Sequence, residues 1–391
     1  MTLSEIATAL GIDQYPHALE SVFAEQSKKV NVCDFALLKA LEAEYGIFQD
    51  YYDAVKAGME ALALDPIRLA WAEAVATYLL DAPFEKCVTI PVIPTDGTPA
   101  GDMLYMLVML PLIPISIQDY LRRGFPEEMV RQMISTCYHS SIQIVIERTG
   151  RPGIDGLYFR WLMTYAKSRI FNLAGFCFEV KAFPENAMYL KHNQTGKIAV
   201  VLRKGSFHRS GRALGSLAYT DDTDARSTPF TETDESWYGL YAENSLASQT
   251  PAKFLKSEWT CVLKPGDAVL SIHIPRNADL SDVAVDAAFQ EGMRIANHHY
   301  NDLDIKGLYC SSWLLDPALA ELIGNDAKIV RFGNRFIRYP FLSSGREVFT
   351  FVFRTSNYDP ALLPETTRLE RGLKKRYLEG DAIHSFQGVI F

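Results

Sequence analysis

The chain has 391 residues, more than one ordinary hydrophobic core supports; with 48% hydrophobic and 22% charged residues it reads as globular and as two domains. A formal net charge of -8 excludes a general nucleic-acid binder, which needs a basic surface to neutralise phosphates. The N-terminus lacks a basic segment followed by an apolar one, so no export signal is read and a cytoplasmic location is expected. Cys33, Cys87, Cys137, Cys177, Cys261 and Cys310 show no paired spacing, so they are expected to be reduced and no metal site is expected.

Residues 1 to about 85 carry helical periodicity, seen at Leu3, Ile6 and Leu10 and again at Phe35, Leu38, Leu41 and Tyr45. Val88–Gly101 reads as a proline-broken loop. Met103–Ile117 is the most apolar run; it is short for a membrane span and interrupted by Pro111 and Pro114, so it is read as core, and no membrane partner is expected. Within it, Leu104–Leu112 fits helix and strand alike. Ile117–Leu121 and Pro126–Arg148 read as helices, the second with Pro126 at its first position. Thr149–Gly156 is a turn-rich break, and Tyr158–Leu173 an aromatic helix.

The pattern turns β-rich near Ala174–Gly175, which sets the expected domains at 1–174 and 175–391. Phe176–Val180, Ala187–His192 and Lys197–Leu202 form a meander. Gly205–Ser236 is a long polar stretch; its basic start, Gly205–Arg212, is either an anion-holding loop or a hairpin. Trp259–Leu263 is a further strand. Ala268–Ile274 alternates, with Leu270, Ile272 and Ile274 on one face and Val269, Ser271 and His273 on the other. Ser281 is the expected N-cap of a helix whose apolar face is Val285, Phe289, Met293 and Ala296. Leu308–Leu315 is the next strand, parallel to the first across this crossover. Asp316-Pro317 is expected to cap a short helix, followed by strands at Lys328–Phe336 and Glu347–Arg354 and a helix at Thr366–Tyr377. The fold class is α+β: a mostly helical N-terminal domain, then a mixed β-sheet domain with flanking helices.

This order resembles GNAT-type acyltransferases. Three stretches resemble a bacterial family of acyltransferase-domain proteins, which join an N-acyltransferase N-terminal helical domain to a GNAT-like C-terminal domain. They are Tyr158–Glu179 (with Trp161-Leu162, Phe171, Leu173 and Phe178-Glu179), Lys264–Pro275, and Cys310–Pro317. The resemblance implies acyl-CoA, or acetyl-CoA, as co-substrate, with the two central strands splayed around the pantetheine arm. Carried over, the pantetheine lies beside Ser271–Ile274 and the phosphates meet Arg276–Ser281. Ser271, Ile274, Arg276, Asn277 and Ser281 are therefore the implied cofactor-binding residues. One departure stands out: the usual GNAT phosphate loop is glycine-rich, and Pro275–Leu280 has no glycine, contains Asp279 and lies near Asp282.

His273 is the candidate general base, because an imidazole is poised near neutral pH to strip an attacking ammonium; otherwise it packs on the sheet. Cys310 is a candidate acyl-accepting nucleophile or a small buried hydrophobe. By strand parity Ser312 shares the face of Cys310, to orient substrate or bond to backbone. Arg276 binds phosphate or pairs with Asp279. His298-His299 closes a helix, where adjacent side chains diverge, so it is not read as a metal site. Three functions compete: direct acyl transfer to a small-molecule or peptide amine, a catalytically inactive GNAT-fold binding or regulatory protein, and transfer through an acyl-Cys310. The oligomeric state is not legible.

Overall fold

A computed structural model describes residues 1–25, 29–355 and 357–391. The chain divides into two compact units, Met1–Phe171 and Asn172–Phe391.

The first unit is helical: Leu3–Ala9, Ala18–Ala24, Phe35–Tyr45, Tyr52–Ala63, Pro66–Asp81, Phe84–Cys87, Pro99–Met109, Ile113–Arg122, Glu127–Thr149 and Gly156–Ala166. Asp34, Asp65, Thr98 and Asp155 each cap a helix by accepting a first-turn N–H. The segment that fits either structure by its pattern is helical. Pro99–Met109, a 3-10 turn at Leu110–Leu112 and Ile113–Arg122 follow without a break, and Pro111 and Pro114 fall at turn starts, where no N–H is needed. By length and composition this is the one stretch, among the described residues, that would cross a membrane; 83% of its apolar window is buried inside the protein. It packs tightly: a Cβ at Gly58 would fall 2.5 Å from that of Met103. Pro126 precedes its helix as N-cap. The expected aromatic helix stops at Ala166, and Ser168 takes a φ of 50° before the chain extends into a strand.

That strand, β1 (Ile170–Leu173), is where the division between units falls. With β2 (Phe176–Ala182), β3 (Ala268–His273), β4 (Leu308–Ser312), β5 (Ile337–Pro340) and β6 (Phe386–Ile390) it makes a six-stranded sheet in the order β1-β2-β3-β4-β6-β5. β3 and β4 pair in parallel, joined by α1 (Asp282–His299); β2–β3, β4–β6 and β5–β6 are antiparallel. The other helices are α2 (Leu319–Ile323), α3 (Lys328–Asn334), α4 (Glu347–Phe351) and α5 (Arg368–Leu378). Two expected strands are thus helices. In Lys328–Phe336 the buried side chains Phe332 and Phe336 recur at helical spacing, and a short apolar run rich in Ile and Val does not distinguish the two structures. Glu347–Arg354 is α4, and the closing strand β6 has no counterpart among the expected elements.

Ala187–His192, Ile198–Leu202 and Trp259–Leu263 form a second antiparallel sheet. Its Tyr189, Val200, Leu202 and Leu263 share one core with Val269, Tyr309, Tyr339 and Val389 of the main sheet. The opposite face is covered by α1, so closely that a Cβ at Gly292 would lie 2.8 Å from the Phe178 ring. The polar stretch Gly205–Ser236 folds into short ladders, the first joining Ser206–Phe207 to Arg226–Ser227. Its basic start is a tied loop, with Arg209 on Asp222 and Arg212 on Asp316.

Candidate active site

The β3–β4 pairing has two registered positions, Leu270–Leu308 and Ser271–Tyr309. Beyond them β3 stays with β2 as far as His273–Cys177, and β4 stays with β6 as far as Ser312–Phe386. The two parallel strands therefore part above Ser271 and Tyr309. Ser311 is exposed although β4 is an inner strand. In-register residues share a face, so His273 and Ser311, each two residues further on, emerge on one face from opposite rims of the opening.

On the β3 rim the key partner is Glu179. It pairs in register with Ser271 and so shares the face of His273. His273 Nε2–H donates to Glu179 Oε2 at 2.9 Å, and Lys181 Nζ is 3.7 Å from the same oxygen. Glu179 is 3% exposed. A buried carboxylate on Nε2 orients the imidazole and favours the tautomer with its proton there. Glu179 is absent from the candidates drawn from sequence, because the β2–β3 register joins positions 94 residues apart. The available signal was an acid inside the apolar strand Phe176–Val180, where a charge needs a partner. Just below, burial pushes the Tyr309 phenol well above its ordinary range, so it stays protonated beside Ser311 and near Glu179.

The other candidates are distributed as follows. Ser271 is buried at the base of the opening, and Ile274 is half-buried just past the end of β3. Cys310 shares the face of Leu270 and Ile272, away from His273. It is fully buried, and burial pushes its thiol well above the ordinary range. Nucleophilic cysteines need an accessible thiolate, so Cys310 is core. Ser312 lies on that same face; its Oγ accepts the Leu314 N–H at 3.2 Å and caps a 3-10 turn at Trp313–Leu315. That cap ends β4 at Ser312, short of the expected Leu315.

Arg276 and Asn277 are exposed in the loop after Pro275. Ser281 precedes α1 but does not cap it, because its Oγ–H and N–H both donate to Asp279, at 2.8 and 2.9 Å. The first-turn N–H groups of α1 thus have no side-chain cap. Asp279 pairs with Lys328 at 3.2 Å, not with Arg276. Asp282 receives Arg331 Nε and Arg335 Nη2, both at 2.9 Å. The Arg335 and Arg331 guanidiniums hold the Asp282 carboxyl below the usual range, and the Ser281 N–H with Lys328 does the same for Asp279. The two acids beside the loop are thus matched by cations from α3 and its end. Among the described residues, no group of three or more His, Cys, Asp or Glu side chains is placed to hold a metal.

Behind β4 and β6 lies a buried ion network. Arg212 grips Asp316 with two bonds, at 2.8 and 2.9 Å, and Asp316 is 1% exposed. Asp316 also accepts the Ala318 and His384 N–H groups, at 2.9 and 2.8 Å. It therefore ties the turn after β4 to the lead into β6, whereas the helix expected at Pro317 starts at Leu319. His384 accepts from Arg212 at Nδ1 and donates from Nε2 to the Leu217 carbonyl.

Residues 212–390 match the family described as the GNAT-like C-terminal domain. Three solved structures align with 100% of this chain and 99% of their own, each at 15% identity. They are an acyltransferase mutant in complex with octanoyl-CoA (TM-score 0.67), an acyltransferase with decanoyl-CoA and teicoplanin (0.65), and an acyltransferase with CoA and 10C-teicoplanin (0.66). No curated protein matches the sequence. The fold is α+β: a helical N-terminal region, then a GNAT-like mixed sheet with flanking helices.

Proposed function

We propose that this protein is an acyl-CoA-dependent N-acyltransferase acting on an amine of a small molecule or peptide. The observation that carries the proposal is the parting of β3 from β4 with a His273–Glu179 pair on its rim. An extended arm such as pantetheine fits between strands that offer unpaired backbone. The phosphate end is served by Arg276 and the uncapped first turn of α1. The solved structures of this fold that hold octanoyl-CoA, decanoyl-CoA and teicoplanin support a fatty acyl donor and a polar acceptor.

In the reaction, the amine nitrogen attacks the thioester carbon while the His273 imidazole takes its proton. Glu179 keeps the imidazole in the right tautomer and stabilises the imidazolium. The C–S bond then breaks, and the leaving thiolate recovers a proton from the imidazolium. The buried Cys310 does not serve as an acyl carrier. The glycine-free loop favours a second reading, a GNAT-fold binding protein without turnover. Thiol release from octanoyl-CoA, followed with a panel of amines, decides between them. Amine-dependent release that is lost in His273→Ala supports the transferase; saturable binding without release from any amine supports the binding protein.

A further inference from the structure

His273 and Glu179 stand on one rim of the opening; the facing rim is β4, with β6 behind it. Had the strands stayed paired, the next rung on that face would join His273 to Ser311. In register with Ser311 on β6 is Gln387, which is 7% exposed. The Tyr339 hydroxyl donates to Asn186 Oδ1 at 3.4 Å, and Asn186 Nδ2 donates to Gln387 Oε1 at 2.8 Å. With Oε1 spent on Asn186, Nε2 is the end of the Gln387 amide that remains. Among the described residues no group accepts from it. Nε2 keeps contact with solvent, so this donor is open to water or a ligand.

We propose that Ser311 Oγ–H and Gln387 Nε2–H bind the thioester carbonyl oxygen and stabilise the oxyanion that forms there, which makes β4–β6 the electrophilic rim opposite the base. This rests on the acyl-CoA reading above. The amine lone pair forms the C–N bond, and the carbonyl π pair moves onto the oxygen held by Ser311 and Gln387. The ammonium proton goes to the His273 imidazole. When the carbonyl re-forms, the C–S bond breaks and the thiolate takes that proton. Neutral donors suit an oxygen that is uncharged in the substrate and negative only along the reaction path. The network that braces Asn186 and Tyr339 holds Gln387 in place before substrate arrives.

The test uses the full chain with carbonyl-labelled octanoyl-CoA and reads the thioester band by infrared spectroscopy, which needs no known acceptor. Bound to the unaltered protein, the band moves to lower frequency than in free octanoyl-CoA. In Ser311→Ala and Gln387→Met the displacement shrinks, octanoyl-CoA affinity stays within about two-fold, and any thiol-release kcat falls roughly 10²-fold. Ser311 is exposed, so its variant keeps the fold if the Gln387 variant does not. A band that does not move in the unaltered protein, or a displacement that survives both substitutions, overturns the assignment while leaving donor binding intact. Failure of octanoyl-CoA to bind at all overturns the donor reading and this assignment with it.

Discussion

At the scale of residues, the site pairs an imidazole with a carboxylate that has little contact with water. Replacing Glu179 by Gln keeps the shape of the pair and removes the negative charge that stabilises the imidazolium. We expect kcat for thiol release to drop roughly 10²-fold, with octanoyl-CoA affinity unchanged. A purely structural Glu179 would instead lower the thermal midpoint and leave the kcat of the folded fraction alone. His384 gives a stability test of the same kind. Burial, then the Arg212 guanidinium, holds it below the ordinary histidine value of 6.5. The unfolded chain therefore takes up this proton first as the pH falls. The stabilisation is fully present above pH 6.5 and is lost as the pH drops below that value through the folded one. Urea unfolding across this window should show the decline, and His384→Gln should flatten it. His273 was legible in the sequence, since strand alternation and a terminal proline place it at the end of a strand. Parity counted from Cys310 points to Ser312, whereas the register Ser271–Tyr309 puts Ser311 on the face of His273.

At the scale of elements, the opening exists because β3 and β4 each keep one antiparallel neighbour after leaving each other. Stiff packing behind the strands holds that geometry. α1 approaches β2 over Gly292, where a Cβ would meet Phe178 Cε1 at 2.8 Å, and Phe178 adjoins Glu179 in the chain. Gly292→Ala should cost about 1–3 kcal/mol by overpacking and reduce activity by displacing the carboxylate; chemical denaturation beside a thiol-release assay checks both. The ion pairs that α3 makes with Asp279 and Asp282 are exposed, so their contribution to stability is small. The sequence carried the β3–α1–β4 unit clearly, since alternation, a proline stop and a long amphipathic helix coincide there. It did not carry β6, because Phe386–Ile390 is a five-residue run whose strand character comes from the neighbours it inserts between.

At the scale of the molecule, composition and pattern foretold a helical first part and a β-rich second part. The apolar stretch from Pro99 to Arg122 shows why hydropathy alone misleads: it would pass for a membrane span, yet it forms the core of the first unit. The overall charge of -8 repels an anionic ligand such as CoA, so the proposed binding rests on Arg276 and the first-turn N–H groups of α1. The most direct test of the acyl-CoA assignment is a crystal structure of the full chain grown with octanoyl-CoA. The pantetheine arm should lie between β3 and β4, with the thioester between His273 and Ser311. Density for the ligand elsewhere, with β3 and β4 unoccupied, would contradict the assignment.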